Sequence, residues 1–209
     1  ARKYNVEKLI NLGSSCIYPR LAPQPLKEEY LLTGALEPTN EAYAIAKISA
    51  IKLCRYYNQQ YSTNFLSLMP TNLYGLNDNY DLENSHVLAA FIRKFHEAKQ
   101  SGKSVVLWGD GSPRREFLHS YDLAEAIIFL LENKNASDIG EIINVGTGAD
   151  ITIRELAELV ASIIGYTGEV VWDTTKPNGT PQKLLDVSRI MNMGWMPKME
   201  LKMGIMNAY

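Results

Sequence analysis

Short apolar runs that end in glycine, proline or polar residues recur along this chain and predict its strands. Each run is too short for a buried helix, and each ends in turn-forming residues such as Gly13-Ser14 or Pro70-Thr71. The pattern predicts strands over residues 8–12, 64–69, 105–108, 141–145 and 170–172.

Longer segments between these runs repeat apolar residues at helical spacing, and they predict helices over residues 42–61, 87–100, 120–133 and 152–164. Thr152, with Glu155 three residues later, is typical of a helix N-terminal capping box. The proline-rich segment 19–38 predicts a loop. In the first helix the apolar side chains fall near one stripe, formed by Tyr43, Ala46, Ala50, Leu53 and Tyr57.

Alternating strands and helices predict an α/β fold with a mainly parallel sheet. Ligands of such folds bind beyond the carboxyl ends of the strands. Ser14, Thr71, Asn72 and Gly146 each stand just after a predicted strand. We therefore expect these residues to share one rim of the sheet.

Composition narrows the class of protein. The chain has 209 residues, 46% of them apolar, which suits one large domain or two small ones with a proper core. A net charge of −2 gives no indication of a nucleic-acid or anionic-membrane partner, and no run is long enough to span a bilayer. Two cysteines, Cys16 and Cys54, form no disulfide framework, and residues 1–5 lack the apolar core of a signal peptide. We expect a cytoplasmic protein without a metal.

The most informative residues are Tyr43 and Lys47, four positions apart on the first predicted helix, and Ser14 after the strand before it. Residues one helical turn apart share a face, so the ammonium favours the ionised phenol. Such a tyrosine can pass a proton to a carbonyl oxygen while a hydride arrives at carbon, and a serine hydroxyl can hold the same oxygen. The grouping indicates a carbonyl reductase.

Six motifs together resemble one family, the GDP-L-fucose synthases of the extended short-chain dehydrogenase/reductases. The Tyr-x-x-x-Lys element alone is common, but the Ser-Ser-Cys and Asn-Ser-His elements are much more specific. The resemblance runs essentially from end to end of the chain and implies a Rossmann-type parallel sheet with a smaller α/β substrate domain. It is carried by residues 13–19, 43–47, 70–75, 84–87, 115–119 and 183–187.

The resemblance implies two activities on GDP-4-keto-6-deoxy-D-mannose. The sugar is epimerised at C3 and C5, and the C4 ketone is then reduced by NADPH to give GDP-L-fucose. Ser14, Tyr43 and Lys47 would form the reducing group. Cys16 would be the base and His86 the acid of epimerisation. Thiols and imidazoles both ionise within reach of neutral pH, and inverting a carbon next to a ketone needs one group on each face.

The same resemblance implies binding residues. The cofactor NADP would contact Ser14, Ser15, Tyr43, Lys47, Pro70, Thr71, Asn72, Leu73 and His86. The GDP-sugar would contact Lys94, Trp108, Arg115 and Asn178. The helix that bears Tyr43 implies a homodimer, because helices at this position of the family form a four-helix interface. The sequence does not decide between NADPH and NADH, because it lacks the strand end that reads the ribose phosphate.

Departures from the family pattern are as informative as the matches. The family begins with a glycine-rich turn that holds the cofactor pyrophosphate, and this chain has none. We therefore expect the sheet to lack its N-terminal strands. Asn178 and Gln182 stand where the family usually has Asp and Arg. We expect residues 1–76 and 112–149 to form the Rossmann part, and 77–111 and 150–209 the substrate domain.

Two other functions remain open. The chain could be another nucleotide-sugar epimerase or dehydratase of the same superfamily, although Cys16 and His86 count against this. It could also be a non-catalytic nucleotide-sugar-binding subunit, an alternative that the missing glycine-rich turn supports. Each candidate also has an ordinary structural alternative: Cys16 as a core residue, His86 and Lys94 as surface groups, and Trp108 as core.

Overall fold

We describe residues 1–209 from a computed structural model. Its strands, numbered in chain order, are β1 (Leu9–Leu12), β2 (Phe65–Pro70), β3 (Asn72–Tyr74), β4 (Val105–Trp108), β5 (Arg114–His119), β6 (Ile143–Val145), β7 (Asp150–Thr152), β8 (Val170–Asp173) and β9 (Gln182–Lys183). Its α-helices are α1 (Glu41–Tyr61), α2 (Val87–Ser101), α3 (Ser120–Asn133), α4 (Ala136–Ile139), α5 (Ile153–Ile164), α6 (Ser188–Asn192) and α7 (Leu201–Ala208).

The predicted α/β class is confirmed, with parallel pairing in each sheet. One sheet has the order β1-β2-β6 and is parallel throughout. A second has the order β3-β5-β7, with β9 also pairing β5, and a third consists of β4 and β8. In the first sheet β1 has a strand partner on one side only, and β2 lies in the middle with all six residues buried.

The strands that the sequence pattern missed are either short or begin with charged residues. β5 begins with two arginines, and β3, β7 and β9 have only two or three residues each. None shows the apolar run or the alternation on which a strand prediction depends. Their pairing with one another, rather than their own composition, makes them strands.

Helix α1 buries a face other than the predicted apolar stripe. Its core side chains are Ala44, Ile48 and Ile51. Tyr43 and Leu53, by contrast, are 47% and 58% exposed. At 100° per residue, the stripe lies on the far side of the helix from the buried face. The tyrosine is thereby turned away from the core.

Two hydrophobic clusters fill the molecule. The first surrounds the β1-β2-β6 sheet and includes Leu66, Leu68 and Ile143, and it also takes in Leu185 to Trp195. The second packs α2 and α5 around Phe95 and Leu107.

The domain boundaries stay a prediction. Among the helices of this structure, none combines the length and apolar character that crossing a membrane requires.

The capping box predicted at the start of α5 is present. Thr152 Oγ1 accepts a hydrogen bond from the backbone N–H of Glu155 at 3.0 Å. The Glu155 carboxylate in turn accepts from the Thr152 backbone N–H at 2.9 Å. Both bonds satisfy donors that helix formation leaves without partners.

Candidate functional site

A cleft of about 380 Å³ opens at the carboxyl edge of the first sheet. The ends of β1 and β2 provide its floor, because the two strands are parallel neighbours and finish at the same edge. The helix start of α1 and the helix start of α2 provide its sides. The cleft is lined by Gly13, Ser14, Ser15, Cys16, Asn40, Tyr43, Pro70, Thr71, Asn72, Leu73 and His86.

Four of the five residues predicted to be catalytic line this one cleft: Ser14, Cys16, Tyr43 and His86. They come from three separate segments of the chain, so their meeting is a property of the fold. Every residue predicted to bind the cofactor lines it too, except Lys47. The roles of these residues remain predictions.

Lys47 lies beside the cleft and contacts its tyrosine. Its ammonium is 5.6 Å from the centre of the Tyr43 ring. It also donates a 2.8 Å hydrogen bond to the carbonyl of Leu12, at the end of β1. Lys47 therefore ties the tyrosine-bearing turn of α1 to the strand that leads into Ser14.

Ser14 begins a short 3₁₀ turn, residues Ser15–Ile17, that carries the thiol. Its Oγ accepts a hydrogen bond from the Cys16 backbone N–H at 3.2 Å, which leaves its own proton free for another acceptor. Cys16 is half-buried, and Lys183 donates to its Sγ at 3.8 Å. The thiol thus borders both the cleft and the β9 segment.

Arg115, predicted to bind the GDP-sugar, lies next to this thiol. It is half-buried, and burial lowers the pKa of its guanidinium, while the electrostatic interaction with nearby Cys16 acts in the opposite direction. Its hydrogen bond goes to the carbonyl of Arg114 at 2.8 Å, and it forms no ion pair. Its donors are therefore not taken up by a carboxylate.

The other three predicted substrate residues surround β4 instead of the cleft. Lys94 donates to the carbonyl of Val106 at 3.1 Å, and partial burial lowers its pKa. Trp108 is 67% exposed. Asn178 Oδ1 accepts from the backbone N–H of Asp110 at 2.9 Å. These three form a second group at the end of the β4–β8 sheet.

The two departures from the family pattern have clear local partners. Asn178 packs over Gly109, which has a φ of +75°, and a Cβ at that glycine would overlap the amide oxygen. Gln182 donates to Asp150 Oδ2 at 2.6 Å, and Asp150 also pairs with Arg114 at 2.7 Å. The Asn178 amide therefore joins two loops, and the Gln182 amide links β9 to β7.

Glu116 is the residue that the sequence argument missed. It is fully buried, and burial raises the pKa of its carboxyl. Its carboxylate accepts from the backbone N–H groups of Thr147, Gly148 and Leu185 at 2.6, 2.8 and 2.9 Å. Its backbone carbonyl accepts from the Asn72 side chain at 2.8 Å. One residue thus joins two loops and strand β3 beside the cleft.

A sequence signal for Glu116 did exist. A carboxylate directly before the apolar pair Phe117-Leu118 is expensive to bury unless it is hydrogen-bonded, so Glu116 indicates that donors are organised around it. Gly146 gives a matching signal, because a Cβ there would overlap Glu116 Oε1.

Comparison with known proteins defines the family. The model of the NAD dependent epimerase/dehydratase family matches residues 1–146, well over half of the chain. The chain belongs to this family. Its Rossmann-type fold accords with the parallel sheet and with the cleft at the carboxyl ends of β1 and β2.

Within the epimerase/dehydratase family, named relatives confirm the resemblance to GDP-L-fucose synthases. GDP-L-fucose synthase 1 of Arabidopsis thaliana is 55% identical over 100% of this chain and 64% of its own length. GDP-L-fucose synthase of Escherichia coli strain K12 is 53% identical over 100% of this chain and 67% of its own length. The chain thus spans about two thirds of these relatives.

A similar protein of known structure has a bound cofactor and is named for a different sugar. GDP-mannoheptose C4 reductase from Campylobacter jejuni, solved with NADP bound, is 42% identical, with a TM-score of 0.91. The match covers 100% of this chain and 68% of that protein. The fold around the cleft is therefore shared with an NADP-binding family member.

Proposed function

We propose that this chain carries the catalytic cleft of a GDP-L-fucose synthase, which converts GDP-4-keto-6-deoxy-D-mannose to GDP-L-fucose. The observation that carries the proposal is that Cys16, His86, Tyr43 and Ser14 line one cleft. The relatives named GDP-L-fucose synthase, at 53–55% identity, support the same substrate.

Epimerisation needs a base and an acid in one site. The Cys16 thiolate removes the proton from C3 or C5, each of which is next to the C4 ketone, and the electron pair moves onto the ketone oxygen. The hydroxyls of Tyr43 and Ser14 hydrogen-bond that oxygen and stabilise its developing charge. His86 then delivers a proton to the opposite face of the same carbon, which inverts it.

Reduction follows in the same pose. Tyr43 gives its proton to the C4 oxygen, and Lys47, whose ammonium is 5.6 Å from the ring, favours the resulting phenolate. NADPH, when bound, would supply the hydride. The chain's residues fit the nicotinamide end of that cofactor: the Tyr43 ring is 47% exposed, and Pro70 and Thr71 line the cleft beside it.

Solvent deuterium tests the epimerase assignment directly. With substrate in D₂O and no NADPH, the full-length protein should place deuterium at C3 and C5, as followed by NMR. Cys16→Ser should slow this exchange about 100-fold or more, because an alcohol is a far weaker base at neutral pH. Cys54→Ser is the matched control and should keep the exchange, since Cys54 lies within α1 and does not line the cleft. Exchange by Cys16→Ser at the unaltered rate would exclude Cys16 as the base.

A second candidate is a GDP-sugar C4 reductase without epimerase activity. The similarity to the Campylobacter GDP-mannoheptose C4 reductase favours it. It predicts turnover with NADPH but no exchange at C3 or C5. Binding of the GDP-sugar with neither exchange nor turnover would support the non-catalytic subunit instead.

We also propose a homodimer formed through α1. Ile45, Leu53 and Tyr56 are 51%, 58% and 56% exposed and fall on one side of the helix. Covering such a patch with a second copy removes apolar surface from water. Sedimentation should give twice the mass of the chain, and the double variant Ile45→Asp, Leu53→Asp should give a single copy.

The unpaired thiols of Cys16 and Cys54 suit the reducing cytoplasm, where we propose that the protein acts.

A further inference from the structure

Lys183 places a cation within hydrogen-bonding distance of the proposed base. Its ammonium donates to Cys16 Sγ at 3.8 Å and forms no ion pair with a carboxylate. In the β5–β9 pairing, Lys183 stands opposite Arg115, which also forms no ion pair. Two unneutralised cations thus lie beside one half-buried thiol.

The remaining titratable groups around Cys16 do not cancel these charges. Arg20 and Glu37 border the thiol from the loop after it, but they pair with each other at 3.4 Å. The Tyr18 hydroxyl donates to Asn144 at 2.6 Å and is kept neutral, because burial raises its pKa. Across the cleft the ionisable side chains in its lining are Tyr43 and His86, and neither is a carboxylate.

The position of Lys183 is fixed on both sides. Before it, Gln182 donates to Asp150 at 2.6 Å. After it, the Leu184 backbone N–H donates to Gln24 at 2.9 Å, and that of Leu185 donates to the buried carboxylate of Glu116 at 2.9 Å. The lysine stem therefore starts from a rigid backbone, so less side-chain freedom is lost when the ammonium meets the thiol.

We propose that Lys183 is a positioning residue for epimerisation that stabilises the Cys16 thiolate, with its backbone held in place by Glu116. The inference rests on the proposed function, since it gives the thiolate its purpose. The thiol proton leaves to solvent, and the thiolate that remains is the form able to take a proton from the sugar. A cation beside a cysteine is a recognised means of raising its thiolate fraction.

Alkylation by iodoacetamide tests the inference without substrate or cofactor. The rate at Cys16 is followed by peptide mass spectrometry from pH 6 to pH 10, with Cys54 as the internal reference in the same sample. Lys183→Met should slow the alkylation of Cys16 about tenfold at pH 7. The Cys16 rates of the variant and of the original protein should converge at high pH, where the Cys16 thiol is ionised in both. Lys183→Arg should restore the profile, and the exposed Lys202→Met should leave it unchanged. An identical profile for Lys183→Met would overturn the proposal.

A second measurement needs no variant and covers the case in which Lys183→Met fails to fold. Iodoacetate is anionic and iodoacetamide is neutral, so a cationic environment favours the first reagent. The ratio of the iodoacetate rate to the iodoacetamide rate should be higher at Cys16 than at Cys54, and salt should reduce the difference. An equal or lower ratio at Cys16 would contradict the inference. The slowing of deuterium exchange by Cys16→Ser would be unaffected by either outcome, so failure of this inference and failure of the proposed function are distinguishable.

Discussion

The reducing side of the cleft, formed by Ser14, Tyr43 and Lys47, is held by few contacts. The thiol side, formed by Cys16, Glu116 and Lys183, borders a buried network instead. Tyr43 is 47% exposed, and Lys47 reaches one strand-end carbonyl. Glu116, by contrast, is fully buried, and its carboxylate accepts from three backbone N–H groups. The chemistry of the reducing side therefore depends on residues spaced closely along the chain. The chemistry of the thiol side depends on contacts between residues far apart in the sequence.

The comparison predicts that damage to the reducing side costs activity but little stability. Tyr43→Phe should lower NADPH-dependent turnover of the full-length protein about a thousandfold, because the proton donor to the ketone oxygen is lost. Its free energy of unfolding in urea should stay within about 0.5 kcal/mol of the original, since the side chain is half-exposed. Tyr61→Phe, at the far end of α1, is the control and should keep its turnover. A large loss of stability in Tyr43→Phe would contradict the comparison.

Damage to the buried network on the thiol side should cost stability. Glu116→Ala leaves three backbone donors, that of Leu185 buried and those of Thr147 and Gly148 partly buried, without an acceptor and should lower the free energy of unfolding by about 3–5 kcal/mol. Urea titration followed by circular dichroism measures this. Glu158→Ala, an exposed glutamate on α5, should change it by less than about 0.5 kcal/mol. Equal effects of the two variants would mean that the network does not hold the thiol side together.

Gly146→Ala tests the Glu116 network from the glycine that packs against its carboxylate. The added methyl would overlap Glu116 Oε1, so the carboxylate or the loop must move. We expect a loss of about 1–3 kcal/mol in the same urea titration, the usual cost of overpacking. In the Glu116→Ala background the loss from Gly146→Ala should shrink, since the overlapping atom is gone. Strict additivity of the two changes would show that they act independently.

The smallest effect is expected at Ser14. Ser14→Ala removes the acceptor for the Cys16 backbone N–H, a partly exposed bond of 3.2 Å that water can replace. The free energy of unfolding should fall by about 0.5–1 kcal/mol. A fall as large as that of Glu116→Ala would erase the distinction between the two sides.

The sequence predicted the α/β class and most long elements because these depend on local patterns, and the family resemblance supplied most of the residues that line the cleft. Tyr43 and Lys47 are one helical turn apart, and Ser14 and Thr71 each follow a strand that ends at the same edge. The pattern missed β3, β5, β7 and β9, whose polar residues are ordered by partners far along the chain.

The same limit explains what was missed at the site. Lys183 lies 167 residues from Cys16, and Glu116 lies 69 residues from Leu185, so no spacing along the chain reveals either contact. The sequence pattern located the apolar stripe of α1. That this stripe faces away from the core depends on where β1 and β2 pack against the helix. The cleft-lining residues were recognisable one by one, and their supports became visible in the fold.

The central claim, that one cleft both epimerises and reduces, is tested most directly by the stereochemistry of the product. The full-length protein is incubated with GDP-4-keto-6-deoxy-D-mannose and NADPH, and the released sugar nucleotide is assigned by NMR. The account predicts inversion at both C3 and C5 and a reduced C4, which is GDP-L-fucose. A reduced product that keeps the original configuration at C3 and C5 would contradict it and favour the simple C4 reductase.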